Sequence, residues 1–420
     1  MTYSEQLIDM LEMGQIDEAY AIFPKALEND DDEMLYSLAE ELYSLGFSDL
    51  AKKAYQLLLE RYPDEDQIRT ALADIAISEG HDDEVIQYLA DIKPDSDAYL
   101  QSLLVAADYY QTQAMFEVSE SKLLRALSLA PDEPIIQFAL AEFYFNIKEY
   151  HKAQKLYLEL IKNGVLELSR VDLVQRLGVS YAGQGKFEKA LAYLDQIHEE
   201  KLDIDTRFQL AFTQLQLGML DEAQNSFEKL IELDPGYATA YPYLADIQQE
   251  KGQLGEALKT YQEGLAVDEY NIELYRKASE LALQLGEVEL AQRYLKTALS
   301  QDEHNLTLVL ALSNLYLQHD MHQENIAFLN EYLAEGEIDP QIHWNLGRSY
   351  AAIDDYPEAV KNYQAVQEAL HNNLDFLKDA AFVYRNAGER NLALECLNLY
   401  LQERPNDSEV LELQEALEDY

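Results

Sequence analysis

The sequence predicts an all-α solenoid, an array of stacked helix pairs, on three observations. Prolines and glycines recur at multiples of 34 residues, and each interval holds two apolar patterns of helical period. The chain has only 16 Gly and 10 Pro among 420 residues, which leaves little material for long loops. Pro63, Pro131, Pro235 and Pro405 each close an apolar segment before an acidic or polar turn. Pro63 to Pro131 spans two periods of 34 and Pro235 to Pro405 spans five. Gly46 and Gly80 stand one period apart, as do Gly218, Gly252 and Gly286. Twelve such repeats fill the chain with about one helix to spare.

In chain order the units begin near Met1, Asp32, Asp66, Leu100, Pro134, Val171, Ile204, Ala238, Ile272, Leu306, Pro340 and Leu374. The first helix of a unit carries a small residue where its neighbour must approach closely, as at Ala39, Ala73, Ala141, Gly178, Ala245 and Gly347. The second helix carries another, such as Ala51, Ala153, Ala257 and Ala359, with a large residue four positions on: Tyr55, Tyr157, Tyr261 and Tyr363. Three units depart from the pattern. Pro24 falls inside the second helix of unit one and is expected to kink or shorten it. Pro94 should end the second helix of unit three early, and three extra residues separate units five and six, so 94–99 and 163–170 are the expected hinges. Unit ten has Asn325 in place of the small residue and HDMHQEN in place of the glycine turn. The expected organisation is one array over 1–407 followed by a capping helix over 408–420. That last segment offers Val410, Leu411, Leu413 and Leu417 to unit twelve and its carboxylates to water.

The segments YLADIQQEKGQLGEALKTYQEGL, from Tyr243, and LGVSYAGQGKFEKALAYLDQI, from Leu177, show a large-small pair, a glycine turn, an alanine and then an aromatic or large aliphatic residue. This order resembles the tetratricopeptide repeat family, and the resemblance covers essentially the whole chain. Length, acidity and the lack of other domains resemble the cytosolic many-repeat proteins of the YpiA-like type from low-GC Gram-positive bacteria. The resemblance implies a right-handed superhelix whose concave face is lined by the first helix of each unit.

On that face the family-type groove positions are Tyr36, Glu40, Asp74, Asp108, Phe138, Glu142, Phe208, Phe212, Asp246, Glu280, Asn314, Trp344, Asn345, Arg348, Lys378, Phe382 and Arg385. They make a surface that is acidic and aromatic early, apolar in the middle and mixed-basic at the end. A negative field focused in a concavity, with rigid aromatics for contact area, suits a protein or peptide partner with basic or apolar segments. A second reading of the acidic ladder stands beside this one. With 79 acidic residues in the chain, carboxylates at solvated positions also serve solubility alone. Asn314 and Asn345 stand where the family's paired asparagines hold a peptide backbone, but Leu310, Asp375 and Asp379 replace the basic residues of a carboxylate clamp.

Against those 79 acidic residues stand 31 Lys+Arg, a formal net charge of -48, which excludes nucleic acid and anionic membrane surfaces as partners. The single Cys396 excludes an internal disulfide framework and multi-cysteine zinc modules. No signal-peptide pattern opens the chain and no apolar run is long enough for a membrane span, so the expected location is cytoplasmic. Ser180 lies between glycines inside a helix without the G-x-S-x-G spacing, and the turn at Gly183 does not meet the phosphate-loop pattern. His319, His322 and His343 lack a further ligand at helical spacing, so no metal and no cofactor is expected.

The function expected is therefore a non-enzymatic interaction scaffold. The alternative is a receptor for a small signalling peptide, resembling repeat-containing pheromone receptors. Those usually carry an N-terminal output module, whereas here the repeat pattern begins by Leu7 to Gly14.

Overall fold

Helix pairs follow one another along the whole chain in the computed structural model, which describes residues 2–334 and 339–418. In the first compact unit, Met1–Met219, the pairs are α1 (Tyr3–Glu12) with α2 (Ile16–Asn29), α3 (Asp32–Ser44) with α4 (Ser48–Arg61), and α5 (Asp66–Glu79) with α6 (Asp82–Ala90). Next come α7 (Tyr99–Thr112) with α8 (Phe116–Leu129), α9 (Pro134–Asn146) with α10 (Tyr150–Lys162), and α11 (Leu173–Ala182) with α12 (Phe187–Leu194). A two-stranded hairpin, β1 (Glu167–Leu168) and β2 (Val171–Asp172), precedes α11, and α13 (Ile204–Gln216) ends the unit.

The second unit, Leu220–Tyr420, begins with α14 (Leu220–Leu233). Its pairs are α15 (Ala240–Glu250) with α16 (Leu254–Val267), α17 (Ile272–Gln284) with α18 (Val288–Gln301), and α19 (Leu306–Gln318) with α20 (His322–Ala334). Then follow α21 (Pro340–Ala352) with α22 (Tyr356–Val366), α23 (Leu374–Asn386) with α24 (Arg390–Glu403), and a final α25 (Ser408–Glu418). Of the expected 408–420 cap, 419 and 420 lie outside the described residues. Val410 and Leu413 of α25 are buried in the cluster formed with Cys396, Leu397 and Tyr400 of α24. The two units divide at 219–220.

The small residues are buried where the repeat requires them. Ala51, Ala153, Ala257 and Ala359 are all fully buried, and so are Tyr157, Tyr261 and Tyr363. At Gly347 an added Cβ would lie 2.7 Å from the Tyr363 ring, so any larger residue would force the helices apart. Where the alanine is missing, unit three has the buried Val85 and two other units have a bonded polar residue. Ser119 is buried and donates to the Ala107 carbonyl at 2.8 Å, and Asn325 is buried and donates to Ser349 Oγ at 2.8 Å.

The turn between the helices of a pair is more regular than its glycines suggest. Gly46, Gly80, Gly252 and Gly286 all have positive φ, and so do Ala114, Lys148, Asp320 and Asp354 at the same place in their units. In each case the next residue donates back across the turn, for instance Phe47 N to Leu42 O at 2.8 Å and Met321 N to Tyr316 O at 2.9 Å. This helix-ending left-handed cap is set by the carbonyls it satisfies, and the stacked helices hold non-glycine residues in it. Unit ten, which lacks the glycine, therefore keeps the same turn.

Pro24 does not shorten its helix: α2 runs 14 residues through it. The carbonyl that loses its helical donor belongs to Tyr20, an exposed residue. Pro94 acts as expected, and α6 stops after nine residues. The insertion before unit six forms the hairpin, with Ser169 and Arg170 both left-handed as a two-residue turn demands, and Asp172 then caps α11 through Val174 N and Gln175 N.

Candidate functional site

Every groove position expected from the sequence lies on the first helix of its pair, but the structure divides them into two kinds. The first kind is committed to holding the array together. Tyr157 of α10 donates its hydroxyl to Glu142 of α9, and Arg176 of α11 reaches the same carboxylate at 3.1 Å. Tyr261 of α16 donates to Asp246 of α15 at 2.6 Å, with Lys277 of α17 at 2.6 Å. Tyr363 of α22 donates to Asp379 of α23 at 2.6 Å, where Trp344 Nε1 also donates at 2.7 Å and Arg348 Nε lies at 3.7 Å. Each is a buried phenol joining a second helix to a first-helix carboxylate, with a cation alongside. Burial first, and then the carboxylate, push these phenols well above their ordinary 10.0.

Several expected contact residues are thus structural. Phe138 is only 7% exposed and belongs to the core, because its helix is apolar on nearly all sides. Asn345 is fully buried; it donates to Ser313 Oγ at 3.0 Å and Asn314 Oδ1 at 3.1 Å and accepts from Gln341 at 2.9 Å. The asparagine pair consequently bonds to itself rather than presenting Asn345 to a peptide backbone. Trp344 is half-buried, edge-on to Phe376 at 5.5 Å. Lys378 pairs with Asp407 at 3.2 Å and Glu409 at 2.7 Å, tying α23 to the start of α25. Glu280 is held by Arg276 within α17.

The second kind remains open to solvent. Glu40, Asp108, Asn314, Arg348 and Arg385 are exposed, the last with its guanidinium 5.5 Å over the Phe382 ring. Phe208 and Phe212 are half-buried and stacked at 6.2 Å, with Phe187 edge-on to Phe212 at 6.1 Å. A cavity of ≈ 510 Å³ lies among α3, α5 and α7. Tyr36, Tyr43 and Tyr55 line it with Glu40, Asp74 and Asp97. Tyr43 donates to Asp74 at 2.9 Å, and burial with the Asp74 charge pushes its hydroxyl up to about 12. Asp97 went unrecognised in the sequence because its place depends on the early stop of α6, which brings the 91–98 segment to the cavity.

Ser180 Oγ donates to the Arg176 carbonyl at 2.7 Å, and Cys396 is fully buried, its thiol pushed up to about 12 by burial. Among the described residues no group of His, Cys, Asp and Glu is placed to hold a metal ion, and no helix is long and apolar enough to cross a membrane.

Comparison with known proteins places this arrangement. The YpiA-like tetratricopeptide repeat family matches residues 111–165 and its C-terminal repeats match 340–407. General tetratricopeptide repeats match 36–98, 174–200, 214–281 and 276–341. The TPR repeat-containing protein YpiA of Bacillus subtilis (strain 168) is 31% identical over 418 residues, covering 100% of this chain and 99% of the relative. The chain belongs to the YpiA-like tetratricopeptide repeat family. Mouse tetratricopeptide repeat protein 21A is similar at 24% identity over 51% of this YpiA-like chain and 16% of its own length. Among solved structures, the APC/C hetero-tetramer Cut9-Hcn1 matches at 14% identity, 99% and 96% coverage and a TM-score of 0.36. YrrB, described as a TPR protein with an unusual peptide-binding site, matches at 22% identity, 45% and 97% coverage and a TM-score of 0.38. Tetratricopeptide repeat proteins are generally non-catalytic scaffolds that bind protein or peptide partners, and the YpiA-like chain is such a repeat array.

One carboxylate of the YpiA-like ladder carries a measurable cost. Surrounding protein strips water from Asp108, and the Asp74 charge adds to the effect, so its carboxyl is held above the ordinary 3.8 although its side chain meets solvent. The folded state binds this proton more tightly than the unfolded chain. The resulting stabilisation is present below the unfolded value and is lost as pH rises through the raised folded value. Asp108→Asn should therefore raise the thermal midpoint at neutral pH by a gain below about 1 kcal/mol, given solvent screening. The gain over wild type should shrink on acidification toward pH 4, as thermal melts across that range will show.

Proposed function

We propose that this protein is a cytoplasmic, non-enzymatic scaffold that holds segments of partner proteins on the exposed face of its first helices. The observation that carries the reading is the division of labour just described. Second helices and small residues are spent on stacking, whereas Glu40, Asp108, Asn314, Arg348 and Arg385 on first helices are exposed, Arg385 with its guanidinium over the Phe382 ring. Arginine and rigid aromatic side chains are the residues that partner surfaces favour.

The test is photo-crosslinking in living cells. A photoreactive residue is placed singly at exposed Glu40, Asn314 or Arg385 on first helices and, as controls, at exposed Glu60 or Glu232 on second helices. Discrete protein adducts are expected at the first-helix positions and not at the controls. Adducts confined to the controls, or none at the first helices, would overturn the reading.

A further inference from the structure

The cavity among α3, α5 and α7 differs from the rest of the ladder in one respect. At three other positions a first-helix carboxylate has a cation beside it: Glu142 has Arg176, Asp246 has Lys277 and Asp379 has Arg348. No Lys, Arg or His lines this cavity, and Glu40, Asp74 and Asp97 make no ion pair among the described residues. The cation that the array supplies to those three carboxylates is missing here.

The walls indicate what shape of cation fits. Tyr36 and Tyr55 are edge-to-face at 5.8 Å, and the Tyr43 hydroxyl fixes Asp74 at 2.9 Å, so aromatic surface and carboxylate are both held in place. A flat guanidinium gains from stacking on ring faces and from two-point bonding to carboxylates, while its aliphatic stem covers apolar wall. The ≈ 510 Å³ of space admits one such side chain together with adjoining backbone. The same surroundings raise the Asp108 carboxyl one repeat along, through loss of water and the Asp74 charge.

We propose that the cavity bounded by Tyr36, Tyr43, Tyr55, Glu40, Asp74 and Asp97 seats an arginine side chain from a basic segment of a partner protein. This rests on the scaffold reading and gives it a charge-specific anchor in the second to fourth repeats. The arginine takes the role that Arg176 has beside Glu142.

The experiment titrates the full chain into a fluorescently labelled heptapeptide with two arginines among alanine and leucine, and into its twin with citrulline, the neutral isostere, at about 0.15 M salt, where distant charges are screened. Anisotropy should show the arginine peptide binding at least tenfold more tightly. The double variant E40Q/D74N should lose at least tenfold, whereas E28Q/E60Q, which removes the same charge from exposed second-helix positions, should change affinity less than twofold. Circular dichroism establishes that both variants fold; were E40Q/D74N to unfold, the single variant E40Q, whose residue makes no internal bond, takes its place. Equal binding of the two peptides, an unaffected E40Q/D74N, or equal losses in both double variants would overturn the proposal, the last by reducing the effect to net charge. Crosslinks at Asn314 and Arg385 would still stand in each of those cases, so failure of this anchor is distinct from failure of the scaffold reading.

Discussion

Replacing Tyr363 by alanine is expected to destabilise the unit Leu220–Tyr420 by about 3–5 kcal/mol, the range for deleting a large buried aromatic whose site cannot collapse. The ring is fully buried, stacks on Phe376 at 5.6 Å, meets Tyr384 edge-on at 6.2 Å and fills the space left by Gly347. Its removal opens a cavity at the meeting of α21, α22 and α23. Tyr363→Phe keeps that packing and deletes only the hydroxyl. Asp379 retains Trp344 and Arg348, so the expected loss falls to about 1–2 kcal/mol. Urea unfolding read by Trp344, the only tryptophan in the chain, will report this directly because its indole contacts both Asp379 and Phe376. In a repeat array each pair answers chiefly to its neighbours, so the local probe should shift further than the helical signal of the whole chain. Equal losses for the two variants would show that the bond to Asp379, not the packing of the ring, dominates.

The repeat was legible because two simple constraints recur at fixed spacing. Close helix approach demands a small residue at places such as Ala141, Ala257 and Gly347, and helix ends demand caps. Asp32, Pro134, Ile272, Leu306 and Leu374 were read as unit starts and each is the first residue of its helix. Asp31, Asn271, Asn305 and Asn373 accept the backbone donors that begin four of these helices. What escaped the reading depended on tertiary contact. The left-handed turns at Ala114, Lys148, Asp320 and Asp354 carry no glycine to announce them. The hairpin turn at Ser169 and Arg170 lacks the usual Asn-Gly signal.

The surface was legible in position but not in state. Glu40 and Glu142 occupy the same place in their units, yet one is exposed and the other is bonded by Tyr157 and Arg176. That difference lies in residues 15 and 34 positions away, where Tyr157 and Arg176 answer Glu142 while Tyr55 leaves Glu40 unbonded. Groove position alone therefore overcounts contact residues; subtracting the ladder carboxylates that have an internal cation leaves Glu40, Asp74 and Asp108 of the early repeats.

Asn345 gives the second large effect, and it separates structural from recognition roles. Asn345→Ala should cost about 2–3 kcal/mol, since it strands the buried Ser313 and leaves the half-buried Gln341 and the exposed Asn314 without their partner. Asn314→Ala, at an exposed position where water can replace the lost acceptor and Asn345 keeps Ser313, should cost less, about 0.5–1 kcal/mol. Urea titrations of both variants supply the stabilities, and binding of the arginine peptide supplies the contrast. If Asn345 held a peptide backbone, its loss would weaken binding at unchanged stability. The observed bonds require the reverse: a clear loss of stability in the C-terminal repeats, with the affinity set in the early repeats unchanged.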